Sequence, residues 1–278
     1  MHSPVEYEKN TTVQTIRDAR NVLESIKGQL SCSENEKILD IGCGPGDLTT
    51  AILPLYFPTA STIIGCDISE AMVQYAQKKY GCERYQFYVL DIEKPSLWIN
   101  SNKGKFDKMF SSFAFHWMKN LNQVTENMNI LLKENGHVIF LSLLTHPLVE
   151  LFGLIPTVTK WKKFVKPWHS CGEVQSTDNE RKIDYINILE KNNFEVIKCD
   201  VEPVEYLLES LDKAIGIFDS VNPFKRDIPE DKYQSFLEDC KDYIQLCGLI
   251  KQNQLGKYVL KYTLLVVYAK KKANLCNK

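Results

Sequence analysis

The run Asp40-Ile41-Gly42-Cys43-Gly44-Pro45-Gly46-Asp47 constrains this chain more than any other stretch. It lies where a short apolar segment, Lys37 to Ile41, gives way to a helical pattern. Closely spaced glycines at such a junction let the backbone turn sharply and approach a ligand with no Cβ in the way. The dinucleotide-binding order G-x-G-x-x-G is not met, because the glycines fall at Gly42, Gly44 and Gly46 and the sixth place is Asp47. A carboxylate at that helix start repels a pyrophosphate. It does not repel a nucleoside-type cofactor that has no phosphate and carries positive charge, as S-adenosylmethionine does.

Four further apolar runs follow at Ser61–Cys66, Tyr85–Leu90, Phe106–Ser111 and Gly136–Leu143, with helices between them at about Asp47–Tyr56, Ser69–Tyr80 and Asn120–Leu132. Continuous apolar strands alternating with helices imply a parallel sheet covered on both faces. An amphipathic helix precedes the first strand, with Val13, Ile16, Ala19, Val22, Leu23 and Ile26 at helical spacing. After Ser142 the alternation breaks. A helix at about 178–192 leads to a strand from Phe194 to Val201, the stretch Leu207–Lys251 looks helical with breaks at Pro223 and Pro229, and a last strand spans Lys257 to Lys270. The two late strands are expected to finish the same sheet, with the late helices stacked above it.

Two acidic residues repeat the position of the glycine loop. Asp67 ends the second strand about twenty residues beyond the loop, where a carboxylate can accept both ribose hydroxyls. Asp91 follows the third, where it can accept from an adenine amino group while Ile92 covers the ring. Open α/β sheets bind ligands along this carboxyl edge. Taken singly, each of these aspartates reads more readily as a helix cap than as a ligand, and for Asp40 a brace for the turn is the alternative to a cofactor contact.

Composition excludes several classes of function. Lys plus Arg total 34 against 35 acidic residues, so no net field attracts a polyanion, and nucleic acid is not an expected partner. No apolar run is long enough to span a membrane, and Met1–Asn10 lacks the apolar segment of a signal peptide, so a cytoplasmic protein is expected. The nine cysteines include no CxxC pair, which points to reduced thiols and no metal site.

From Glu36 to Leu143 the chain resembles the class I S-adenosylmethionine-dependent methyltransferases, on the glycine motif Asp40–Gly46 with Asp67 and Asp91. It is similar, more narrowly, to the juvenile hormone acid O-methyltransferases of arthropods. That likeness rests on Tyr7-x-Lys9 with Gln14, Gly65-Cys66-Asp67-Ile68-Ser69-x-x-Met72, Val89–Glu93, Phe115-His116-Trp117, Asn222-Pro223-Phe224 and Tyr268-Ala269. The resemblance implies a Rossmann-like α/β fold with a seven-stranded, mostly parallel sheet, helices on both faces and a helical substrate cap. It implies one methyltransferase domain over 1–278, with 36–145 holding the cofactor and 1–30, 146–175 and 207–255 forming the cap. The implied reaction is methyl transfer from S-adenosylmethionine to the carboxylate of a sesquiterpenoid acid, juvenile hormone acid or farnesoic acid. Another small carboxylate or metabolite, or a non-catalytic terpenoid-acid binder, are the alternatives.

The implied cofactor contacts are Asp40, Gly42, Cys43, Gly44, Asp67, Ile68, Asp91, Ile92 and Ser112, with Phe113 packing beside Ser112. Gln14 and Trp117 fall where the family holds the substrate carboxylate. An acid of ordinary pKa is ionised at neutral pH and needs no general base, only donors that align it. His116 is expected to orient, or to touch the acceptor directly. Apolar residues outside the sheet, among them Leu148, Leu151, Phe152, Leu154, Ile155, Trp161, Phe164, Phe218, Phe224 and Phe236, are expected to supply a tunnel for an isoprenoid tail.

Overall fold

The computed structural model describes residues 3–168 and 177–273. The part of the expected cap at 169–175 and the end of the lysine-containing tail lie outside those residues. The strands are β1 (Lys37–Ile41), β2 (Thr62–Asp67), β3 (Tyr85–Val89), β4 (Phe106–Ser112), β5 (Leu132–Thr145), β6 (Phe194–Leu208), β7 (Lys251–Gln252) and β8 (Tyr258–Lys271). They form one sheet in the order β3-β2-β1-β4-β5-β8-β6, with β7 paired to β8. Strands β1 to β5 pair in parallel, and β8 runs antiparallel to β5, β6 and β7. The path of seven is the expected sheet, and the two-residue β7 adds an eighth strand at its rim.

The helices are α1 (Pro4–Ile26), α2 (Asp47–Ala51), α3 (Leu53–Tyr56), α4 (Glu70–Tyr80), α5 (Leu97–Ser101), α6 (Leu121–Leu131), α7 (Pro147–Val158), α8 (Asp178–Lys191), α9 (Leu211–Val221) and α10 (Glu230–Leu246). The helix expected over Asp47–Tyr56 is split in two at Ile52, two residues before Pro54, which cannot donate to the ladder. The strand expected to end at Val201 continues to Leu208, paired with β8 along its whole length.

Side-chain alternation along the strands divides the core into two layers. Ile38, Phe110, Ile139 and Leu264 face one layer, which α1, α7, α9 and α10 cover. Their neighbours Leu39, Met109, Phe140 and Leu265 face the other, which includes Val124 and Met128 of α6 and Leu189 of α8. The chain passes from β1 to β2 on one side and returns to β4 on the other. The carboxyl ends of β1, β2 and β4 therefore diverge around a crevice, the place where doubly wound sheets bind ligands.

Candidate active site

The glycine loop forms the floor of that crevice. Gly42 and Gly44 both have positive φ, 74° and 54°. A Cβ on Gly42 would lie 2.3 Å from the Ala114 Cβ, so only glycine lets the loop pass under the segment that follows β4. The loop is stitched to β2 by Gly42 and Cys43, whose N–H groups donate to the Cys66 carbonyl at 2.8 and 3.0 Å. Asp67 completes the join, accepting from Gly44 N at 3.0 Å and from Ser69 N at 2.8 Å. Burial pushes its carboxyl pKa up, and the two N–H groups oppose that shift. Asp40 is also buried and accepts from Thr49 Oγ1 at 2.5 Å, which makes it the brace of the turn. Desolvation, with the nearby Asp67 charge adding, raises the Asp40 pKa to about 7 against the pull of Thr49.

A cavity of about 360 Å³ opens above β1, β2 and β3, and its walls include Gly42, Asp67, Ile68, Asp91, Ile92 and Trp117. Ile68 is largely exposed and Ile92 is buried, so the two can cover opposite sides of a flat guest. The Asp91 carboxylate is partly engaged, by Glu93 N at 3.1 Å and by the exposed Lys94 at 2.7 Å. Glu93 in turn accepts from Lys119 N and Asn120 N, both at 2.9 Å, and so fastens the chain after the Phe115–Trp117 turn to the exit of β3. Beside this cavity a polar recess brings Asp40, Gly42, Cys43, Gly44 and Ser112 together under Tyr7. The Ser112 hydroxyl there is buried with no protein partner. The Cys43 side chain packs into the cluster of Val73, Ala76 and Phe87, leaving the backbone of Cys43 to shape the loop.

A smaller chamber of about 60 Å³ adjoins the crevice and is lined by Gln14, His116, Trp117 and His146 among others. Tyr7, Phe113, Trp117 and Val221 belong to the walls of both. Phe113 holds φ at 55°, a strained value for a bulky side chain, and its N–H is fixed to the Leu141 carbonyl at 3.0 Å. That strain turns its ring into the wall between the two spaces. Gln14 is buried and lies close enough to the Tyr262 hydroxyl for its amide to oppose the rise that burial gives that group's pKa. Tyr262 donates to Asp18, which also accepts from Arg17 at 2.6 and 2.8 Å. His116 Nδ1 is buried without a partner. Burial, then the neighbouring His146, lowers the His116 pKa to about 3, and burial lowers that of His146 to about 3 as well. Both rings are neutral at physiological pH. Among the described residues, no Lys or Arg lines the crevice cavity or the chamber.

All the site residues expected from sequence thus gather along one edge of the sheet, and the three assigned to the acceptor share one chamber. Tyr7, Thr11, Thr15, His146 and Tyr262 were not singled out. Tyr7 lay in a motif of the family resemblance, and His146 precedes Pro147, a helix-start signal that placed its side chain at the head of α7. The expected tunnel is different in the structure. Leu148 and Phe152 line the chamber, whereas Leu151, Ile155, Trp161, Phe218, Phe224 and Phe236 are core. Ring contacts such as Phe152–Phe218 at 5.2 Å and Trp161–Phe236 at 5.4 Å knit α7, α9 and α10 into one layer.

A mostly parallel sheet with a glycine loop after β1 and carboxylates at the ends of β2 and β3 has the arrangement of a class I methyltransferase. The family model described as a methyltransferase domain matches residues 32–193, and the chain belongs to the S-adenosylmethionine-dependent methyltransferases. It is 30% identical to juvenile hormone acid O-methyltransferase of Bombyx mori, over 95% of this chain and 96% of that protein. It is 26% identical to the Drosophila melanogaster protein of the same name, over 98% and 93% of the two chains. Among solved structures it shares the fold of YcgJ from Bacillus subtilis, with a TM-score of 0.55 at 16% identity, covering 91% of this chain and 99% of that one. A phosphoethanolamine N-methyltransferase of Haemonchus contortus, complexed with S-adenosylhomocysteine, gives a TM-score of 0.52 at 15% identity, over 97% and 57% of the chains. The residues present fit the family's cofactor. The glycine cradle admits no Cβ at Gly42, the unpartnered Ser112 hydroxyl faces the recess, and Asp40, Asp67, Asp91 and Glu93 suit a cationic ligand.

Proposed function

We propose that this methyltransferase esterifies an apolar carboxylic acid, with juvenile hormone acid and farnesoic acid as the substrate class. One observation carries the reading: Gln14, His116 and Trp117 line a single chamber that shares walls with the cofactor crevice. The names of the two insect relatives support the sesquiterpenoid acid. The chamber's volume of about 60 Å³ favours a second reading, a smaller apolar acid, unless the α7 and α9 walls part for a longer tail.

S-adenosylmethionine, when bound, supplies a methyl group on a positively charged sulfur. Asp67 would hold its ribose hydroxyls, Asp91 its adenine amino group, and Ile68 and Ile92 the ring faces. Gly42, Cys43 and Gly44 would offer backbone, and Asp40 and Ser112 would serve the amino-acid end. A carboxylate is already ionised at neutral pH, so no base is required. Neutral His116, with a pKa of about 3, suits an orienting role and not proton abstraction. Gln14 and the Trp117 indole N–H would each hold an acid oxygen, fixing the line of attack. Phe113 and Phe152 keep water from that line. In domain terms, residues 36–145 would carry the cofactor and the helical segments 1–30, 146–175 and 207–255 would enclose the acceptor.

Incubating the protein with methyl-labelled cofactor and a panel of apolar acids from short chains to farnesoic acid tests this. The expected products are methyl esters that release the label in alkali. An alkali-stable product, or none from any acid, overturns the proposal, and the chain length turned over fastest chooses between the two readings.

A further inference from the structure

The acceptor chamber holds a polar arrangement more extensive than its three expected residues. His146 caps α7: its Nδ1 accepts from Leu148 N at 3.2 Å, which leaves the ring proton on Nε2. The ring is buried, lines the chamber and packs 5.2 Å from that of Tyr262. Because the cap bond fixes the tautomer, Nε2–H is a standing donor. The Tyr262 hydroxyl gives its only proton to Asp18 and accepts from Arg17 at 2.9 Å, so toward the nearby Gln14 it can present only acceptor oxygen, which draws the amide N–H side of Gln14 to it. That acceptor favours one orientation of the amide, and its second N–H remains for a guest. Asp18 is itself buried and offset by Arg17, which makes the supporting network stiff and close to neutral.

We propose that His146 is a further residue touching the methyl acceptor, donating from Nε2 to its acid group, and that Tyr262, held by Asp18 and Arg17, positions the Gln14 amide beside it. The inference rests on the acid-esterifying reading above and adds to it. The acceptor is gripped by neutral donors drawn from α1, the β4 exit and the head of α7, with β8 setting their aim. Donors without charge can align a carboxylate oxygen while leaving its electron pair reactive.

Two measurements test this. In the first, farnesoic acid is titrated calorimetrically into protein saturated with S-adenosylhomocysteine. His146→Ser retains an oxygen to cap α7 but has no donor at the reach of Nε2. Its acid affinity should fall about ten-fold or more, the scale of a hydrogen bond to a charged group, while S-adenosylhomocysteine binds as in the wild type. His146→Asn, a second capping residue, repeats the measurement should the serine variant fold poorly. In the second, Tyr262→Phe is made alone and with Gln14→Ala. Acting through Gln14, Tyr262→Phe should lower kcat about ten-fold with little change in KM, and should cost nothing further once Gln14 is alanine. Unchanged acid binding in the His146 variants overturns the first part. An equal loss of kcat in both backgrounds marks a merely structural tyrosine and overturns the second. Wild-type protein that binds S-adenosylhomocysteine but no acid overturns the esterification reading together with this proposal.

Discussion

Asp40 and Asp67 lie buried at the ends of adjacent strands, and the cost of ionising Asp40 there is visible in its pKa of about 7. A carboxyl whose folded pKa is raised contributes stability that is fully present below its ordinary value near 4. That contribution is lost as pH rises through about 7. A cationic ligand in the recess reverses the preference, because it favours the carboxylate. Binding of S-adenosylhomocysteine, whose amino group is positive, should therefore tighten between pH 6 and 8 and release protons. Calorimetry in buffers of different ionisation enthalpy reads that release, and Asp40→Asn should abolish it; a pH-independent affinity in the wild type contradicts the placement. These acids were legible in sequence because each ends a strand, a position that repeats. The surroundings of Gln14 were not, since Tyr262 and His146 come to the chamber region only after β5 and β8 have entered the sheet. Cys43, read as a cofactor contact, lines the recess while its side chain packs in the apolar cluster around Phe87.

Helix α1 behaves as two halves. From Ala19 onward it buries Val22, Leu23 and Ile26 in the core, as its spacing predicts. Before that, Val13 is 70% exposed while Thr11 and Gln14 are buried, so the inward face is polar and the apolar pattern misleads. The physical reason is that this half faces the chamber, where Tyr7, Thr11, Gln14 and Thr15 form one stripe. Polar ties hold it there: Glu8 with Tyr75 at 2.6 Å and Lys79 at 2.7 Å, Glu6 with Lys225 at 3.0 Å, and Asn10 with Ser220 at 3.0 Å. Partly exposed ties of this kind contribute less than about 1 kcal/mol each. In a Lys79→Ala, Lys225→Ala double variant, amide hydrogen exchange should accelerate over residues 5–15 and stay slow over 19–26. Uniform acceleration along the helix contradicts the division. The late helices were legible as helices, but their aromatic residues were read as tunnel wall when most of them bind one helix to the next.

At the scale of the whole molecule, the edge of the sheet opposite the crevice carries a buried ion pair, Lys108 with Glu36, beneath the ring of Phe57. Both side chains are nearly inaccessible, at 3% and 5% exposure. Removing one partner of such a pair leaves an uncompensated charge and costs about 3–5 kcal/mol, whereas replacing both with apolar groups is often neutral. Lys108→Met should lower the urea midpoint accordingly, and a Lys108→Met, Glu36→Leu double variant should recover most of the loss. The pair is about 15 Å from the crevice, the length of β1, so turnover in the double variant should match the wild type. A double variant as unstable as the single one would show that the charges hold the edge together beyond their mutual attraction. No pattern in the sequence marked this pair, because Glu36 and Lys108 meet only once β1 and β4 are neighbours.

Among the described residues, the lack of lysine or arginine around the crevice cavity and the chamber beside it has a consequence for traffic through the molecule. An anion entering such walls must borrow its counter-charge from the guest next door, so each ligand strengthens the hold on the other. On the proposed esterification, methyl transfer would cancel both charges in a single event, leaving an uncharged ester beside an uncharged thioether. The mutual grip that assembled the pair would dissolve at the moment the bond is made, and release would follow from walls that hold no cation of their own.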